Sequence, residues 1–140
     1  MSQHAFLSPS ASHRWLNCPP SAKLCAAEAE TTSTYALEGT DAHTLCAHLV
    51  EQALGQDSPD PVESLTYYNT QMQECCDGYA SFVMEELQKL QKHDPDAKVL
   101  IEQKVDYSRW VPDGTGTADC ILLSKDTLEI IDYKYGQGVL

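Results

Sequence analysis

Two apolar runs near the end of the chain constrain its fold more than anything that precedes them. One is Ala118-Asp119-Cys120-Ile121-Leu122-Leu123, led in by Gly114-Thr115-Gly116-Thr117; the other is Leu128-Glu129-Ile130-Ile131-Asp132-Tyr133. A turn at Ser124-Lys125-Asp126 lies between them, with residue types that close a hairpin. Successive side chains on a strand point to opposite faces. Asp132 and Lys134 therefore share one face, and Ile131 and Tyr133 the other. If the runs pair, Asp119 sits beside Asp132, and two such carboxylates can share a divalent cation. Mg²⁺ and Mn²⁺ favour oxygen ligands and keep waters for a substrate phosphate.

Upstream the period is helical. Ser8-Pro9 is a helix start, and a helix over about Pro9 to Asn17 buries Ala11 and Trp15, with Leu16 at the margin. Cys18-Pro19-Pro20 ends it, and Pro20 opens a second helix to about Ala29. Thr31 to Tyr35 reads as a polar loop. Glu38-Gly39-Thr40 then opens a strong helix to about Leu54, with Ala42, Leu45, Cys46, Leu49, Val50 and Ala53 as its apolar stripe. A longer helix is expected over about Val62 to Lys92, with a break near Thr70, and His93-Asp94-Pro95-Asp96 stops it. Strands follow at Lys98–Val105, Asp119–Leu123 and Leu128–Tyr133. The expected fold is α+β, with N-terminal helices (1–95) followed by a three-stranded antiparallel meander (98–135) in one domain spanning 1–140.

Composition limits the function classes. The chain has 140 residues, 42% hydrophobic and 21% charged, and no apolar run approaches the roughly 20 residues of a membrane span. The N-terminus lacks the basic and long apolar regions of a signal peptide, so the expected compartment is the cytoplasm, with no membrane partner. Cysteines stand at 18, 25, 46, 75, 76 and 120 without a Cys-x-x-Cys pair. A closed zinc site is therefore disfavoured, and Cys46 and Cys120 read as buried thiols on apolar faces. The net charge of -12 excludes a coat protein that binds nucleic acid through a basic stripe. It leaves room for an enzyme that grips nucleic acid through metal ions and a few local bases.

A cation held by paired acids activates water and stabilises charge developing on a phosphodiester. Lys134, two residues beyond the second acid, is placed to orient that water or to pair with the scissile phosphate. Gly114 and Gly116 leave room for a close backbone approach. The bland alternative is a hairpin with solvated acids, because Asp-x-Lys alone is a frequent triplet. His43 alone reads as a surface or cap-adjacent histidine. His48 lies about 140° further around the helix and should not reach the same ion. Glu38 suits either site support or the helix dipole, and Glu102, alternating with Lys104, suits either a place facing the site or a solvated strand face, with the solvated face the favoured reading.

Three stretches together resemble the PD-(D/E)xK nuclease superfamily, in particular its RecB-like branch with the Cas4 and AddB nuclease domains. Asp119 in Gly116-Thr117-Ala118-Asp119 resembles the first metal-binding acid. Asp132-Tyr133-Lys134 resembles the (D/E)xK triplet, and Glu38-Gly39-Thr40-Asp41-Ala42-His43 resembles the Gly-Thr-x-x-His helix start. Ser10-Ala11-Ser12 and Trp15-Leu16-Asn17-Cys18-Pro19 resemble the branch's opening Ser-x-Ser…Cys-Pro motif. Nearly the whole chain resembles the N-terminal part of a phage and prophage family, DUF2800. The resemblance implies a restriction-endonuclease-like α/β core and a DNA exonuclease or flap-type nuclease. His43, Asp119 and Asp132 are then implied as ligands of Mg²⁺ or Mn²⁺, with Asp119, Asp132 and Lys134 catalytic. It also implies phage replication or recombination proteins as partners. Cys18 matches the first ligand of a [4Fe–4S] cluster whose other three cysteines would have to come from a longer chain. The branch's Gln-x-x-x-Tyr helix would begin just past Leu140, so a truncated domain is expected.

A second reading is a catalytically incomplete fragment that keeps the fold and serves as a binding or interaction module. A thiol-based redox protein ranks last, for want of paired cysteine spacing. DNA and RNA offer the same phosphodiester, and no base-reading motif separates them. Exo- or endonuclease action and oligomeric state are equally open from sequence.

Overall fold

The computed structural model describes residues 6–28 and 33–136. The last residue of the helix expected to Ala29, the start of the 31–35 loop and the chain end at 137–140 lie outside them. Among the described residues, four α-helices precede a three-stranded antiparallel sheet of order β1–β2–β3, an α+β arrangement as expected. The chain divides into two compact units. One is Met1–Thr31 with Lys104–Thr117, and the other is Thr32–Gln103 with Ala118–Leu140. No helix among the described residues is long and apolar enough to cross a membrane.

In the first unit, a 3-10 turn at Pro9–Ala11 leads into α1 (Ser12–Asn17), and α2 (Pro20–Ala26) follows. Proline at the start of each segment fixes φ where no intrahelical donor is needed. Trp15 is half-buried and its indole donates to the Ser8 carbonyl at 2.9 Å. Leu16 is exposed, so the apolar stripe of α1 is narrower than its sequence suggests. Gly114 and Gly116 belong to this unit. A Cβ on Gly114 would lie 2.5–2.7 Å from the Tyr107 ring and the Val111 carbonyl, and one on Gly116 would lie 3.1 Å from Pro9. The space these glycines leave is filled by Tyr107 and Pro9.

The second unit is built on a helix pair. α3 (Thr34–Ala53) starts earlier than expected, because the Ser33 hydroxyl accepts from the Ala36 amide at 3.2 Å and caps it. Asn69 caps α4 (Thr70–Gln91) through the Met72 amide at 2.9 Å. That cap sets the helix start at Thr70, and the preceding stretch forms only a 3-10 turn at Val62–Ser64. Met72, Cys76, Ala80, Val83 and Leu87 form the buried stripe of α4, at steps of three or four residues. α3 answers with Ala42, Leu45, Cys46 and Val50.

One face of the sheet packs on this pair. The strands are β1 (Lys98–Asp106), β2 (Thr115–Leu123) and β3 (Leu128–Ile131). Cys120 and Leu122 of β2 are buried against Val50, Val83 and Leu87. β2 and β3 pair in the register Cys120↔Ile131 through Leu123↔Leu128. Asp94, buried after α4, accepts from the Lys125 amide at 2.8 Å and ties the helix end to the β2–β3 turn.

Truncating Leu122, which is fully buried, to alanine should cost about 2–5 kcal/mol of unfolding free energy in urea titration. The same change at exposed Leu128 should stay within about 0.5 kcal/mol.

Candidate metal centre

Because α3 begins at Thr34, His43 stands midway along the helix, next to buried Ala42 and one turn before Cys46. Its imidazole is half-buried and meets the Tyr133 ring edge-on at 5.8 Å. Nδ1 lies 3.3 Å from Asp119 Oδ1. Glu38 falls in the second turn of α3, so it does not precede the helix. His48 is buried on the same helix and its Nδ1 pairs with the Ser58 hydroxyl at 3.0 Å, apart from the site.

Asp119 does two things at once. Its side chain is only 14% exposed; Oδ1 faces His43, and Oδ2 accepts from the Tyr133 amide at 2.7 Å. The last ladder pair is Cys120↔Ile131. One step further the side chain of Asp119 takes the backbone donor, which explains why β3 ends at Ile131, short of the Tyr133 expected from sequence. The alternation continues past the strand. Tyr133 and Tyr135 are half-buried, while Asp132 and Lys134 face solvent.

Glu102 joins His43 and Asp119, the alternative that the sequence placed behind a solvated strand face. Its φ is +48°, a left-handed conformation rare outside glycine. Ile101 and Glu102 are consecutive on β1, yet both line the cavity that His43, Asp119 and Tyr133 line. Regular pleating would send them to opposite faces. Glu102 is itself exposed and keeps the half-buried/exposed alternation of Ile101, Gln103 and Lys104, so its carboxylate meets the cavity at its open edge. One ligand atom from each of His43, Glu102 and Asp119 lies within 4.8 Å of the others, and they form the one such trio among the described residues. The enclosed space holds about 10 Å³ for a water-sized centre, roughly one water or one small ion.

Asp132 is not part of this trio. It is 59% exposed and ion-paired with Lys134 at 2.5 Å. Lys134 is 80% exposed, yet its charge bears on both His43 and Asp119. Between the two, Tyr133 anchors the triplet. Its ring centre is 5.0 Å from that of Tyr79, and its hydroxyl lies 3.7 Å from the Cys76 sulfur.

The electrostatics follow the geometry. The hydrogen bond to Asp119 holds His43 above its ordinary value of 6.5, against the burial that pulls it down. Burial pushes the Asp119 carboxyl up, but the bonds from His43 and the Tyr133 amide outweigh it and leave the group below 3.8. Burial, and then the Asp119 charge, push Glu102 above 4.5, while His43 works the other way. Cys46, Cys76 and Cys120 are buried and no cysteine is in a disulfide. Burial pushes the Cys120 thiol up to about 11, which leaves it a packing residue.

A family model described as proteins of unknown function, DUF2800, matches residues 4–140. The chain belongs to the DUF2800 family. No solved structure matches it. In this DUF2800 chain the exposed thiols are Cys18, Cys25 and Cys75. That is one fewer than the four a [4Fe–4S] cluster takes, so the thiols present do not fit one.

The His43–Asp119 pair carries a signed pH dependence. The raised histidine stabilises the fold fully below 6.5, and this is lost as pH rises through its folded value. The lowered aspartate contributes above 3.8, and this is lost as pH falls through its folded value. The pair is therefore at full strength between about pH 4 and 6.5. NMR titration of the metal-free chain should place the His43 midpoint above 6.5. Asp119→Asn should return it towards that value and remove the alkaline loss of stability.

Proposed function

We propose that this chain carries the centre of a metal-dependent phosphodiesterase acting on nucleic acid, with DNA as the substrate its motifs imply. The observation that carries the reading is the convergence of the His43 imidazole on the Asp119 carboxylate, with the Lys134 ammonium in electrostatic reach of both. A finer assignment, to the RecB-like branch of the PD-(D/E)xK nucleases, rests on the same three stretches of sequence.

The donors suit a divalent cation. An imidazole nitrogen and carboxylate oxygens surround a space about the size of one water. A bound cation would supply Lewis acidity, activating water and offsetting charge on the phosphoryl oxygens. The chain's own residues do the rest. The Tyr133 amide fixes the Asp119 carboxylate so that Oδ1 stays towards His43. Asp132 restrains the Lys134 ammonium at the surface, where it is placed to meet a phosphate as a point charge.

A groove of about 520 Å³ begins at Tyr133 and Lys134 and is walled by Tyr35, Gln71 and Tyr135. Exposed Tyr35 and half-buried Tyr135 present rings on which bases stack, a sequence-tolerant contact worth about 1–3 kcal/mol per base. One observation favours the second reading, a non-catalytic interaction module: the net charge of -12 repels a polyanion at long range.

Incubation of the purified chain with end-labelled DNA and Mn²⁺ separates the two. The nuclease reading expects cleavage that chelator abolishes and that Asp119→Asn removes. Lys134→Ala should lower the rate by about 10²-fold or more while leaving Mn²⁺ affinity within about twofold. Cleavage that survives in the Asp119→Asn chain would overturn the reading, and saturable Mn²⁺ binding without cleavage would favour the interaction module.

A further inference from the structure

The phosphodiesterase reading needs a cation site, and the motif pattern offers Asp132 as its second acid. The geometry points elsewhere. We infer that Glu102 is the acid that completes the site with His43 and Asp119, and that Asp132 acts as a positioning residue for Lys134. This inference rests on the proposed metal-dependent function.

Three independent features of the chain carry it. First, the ligand atoms of His43, Glu102 and Asp119 come within 4.8 Å of one another, from α3, β1 and β2 respectively, whereas among the described residues no such group includes Asp132. That spacing matches donors about one coordination diameter apart, since metal–ligand distances are about 2.0–2.2 Å. Second, Glu102 lines the cavity from an exposed strand position whose backbone is left-handed. A non-glycine residue at φ +48° in mid-strand costs on the order of 1–3 kcal/mol and persists where its surroundings hold it. Third, Asp132 already has a partner. Its carboxylate is engaged by Lys134, and both side chains stand on the outward face of the extended segment. Tyr133, packed inward against Tyr79 and His43, fixes that orientation.

The donor set also selects the ion. Mg²⁺ demands an oxygen octahedron and accepts imidazole poorly, whereas imidazole together with carboxylates suits first-row transition cations such as Mn²⁺. The site should therefore take Mn²⁺ in preference to Mg²⁺.

Calorimetric titration of Mn²⁺ into the full 140-residue chain tests this directly, with Glu102→Gln and Asp132→Asn as the variants. Glutamine keeps the size of the side chain and removes a carboxylate that sits near Asp119, so the fold should survive; circular dichroism checks it. Glu102→Gln should weaken Mn²⁺ binding about tenfold or more, and Asp132→Asn about threefold at most. The rate of phosphodiester cleavage should fall in both, with the fall in the Asp132→Asn chain residing in the rate constant at saturating Mn²⁺. The inference is overturned if Glu102→Gln binds Mn²⁺ as the unmodified chain does, or if Asp132→Asn loses more affinity than Glu102→Gln. A chain that binds Mn²⁺ through Glu102 but cleaves nothing keeps the cation site and overturns only the nuclease reading. Cleavage that persists with Glu102→Gln at unchanged affinity does the reverse.

Discussion

The arrangement of the second unit turns on one carboxylate. Asp119 is held between the His43 imidazole on α3 and the Tyr133 amide beyond β3, and so ties helix, central strand and edge strand together. A largely buried carboxylate is costly unless it is paired and hydrogen-bonded, and here both oxygens have partners. The same two bonds orient its lone pairs. Structural demand and site geometry are satisfied by one residue, so a change at Asp119 tests chemistry cleanly only if it keeps an acceptor for the Tyr133 amide. Asparagine does this and alanine does not.

Much of this was legible in the sequence, and the reasons are local. The stripes of α3 and α4 follow from helical periodicity, and buried Cys46 and Cys120 follow from their apolar neighbours. The hairpin of β2 and β3 follows from two apolar runs across a short turn, and it correctly brings the chain around Asp119 close to that around Asp132. Helix starts were less legible. Ser33 and Asn69 decide them through single hydrogen bonds, and several polar residues near each start could have served as the cap.

Glu102 was only partly legible. Alternation along β1 puts it with Lys104 on the exposed face, where the structure has both, but alternation does not say that the carboxylate reaches His43 and Asp119. Nothing in Leu100-Ile101-Glu102-Gln103 announces a left-handed residue, since neither glycine nor asparagine is present to signal one. The signal exists only in three dimensions, where Ile101 and Glu102 line the same cavity. Departures from local rules concentrate where function needs them, and this is the one mid-strand residue among those described whose backbone breaks the rule.

The acidic balance of the chain and a phosphodiester substrate can be reconciled by where the charges lie. A net charge of -12 opposes a polyanion at distance, but within about 8–10 Å at physiological salt the local groups dominate. At the site those groups are the largely buried Asp119 carboxylate, the exposed Glu102 carboxylate and a solvent-facing lysine. The carboxylates repel each other, as the raised Glu102 and the dependence of Asp119 on His43 record. In the proposed reading a divalent cation would offset this repulsion, cancelling the two carboxylate charges before Lys134 is counted. An acidic surface around such a point limits binding to substrates that can reach the cation itself. Under the proposed function, long-range repulsion with strong short-range coordination would give low affinity for nucleic acid in general, and a marked dependence of any binding on the metal.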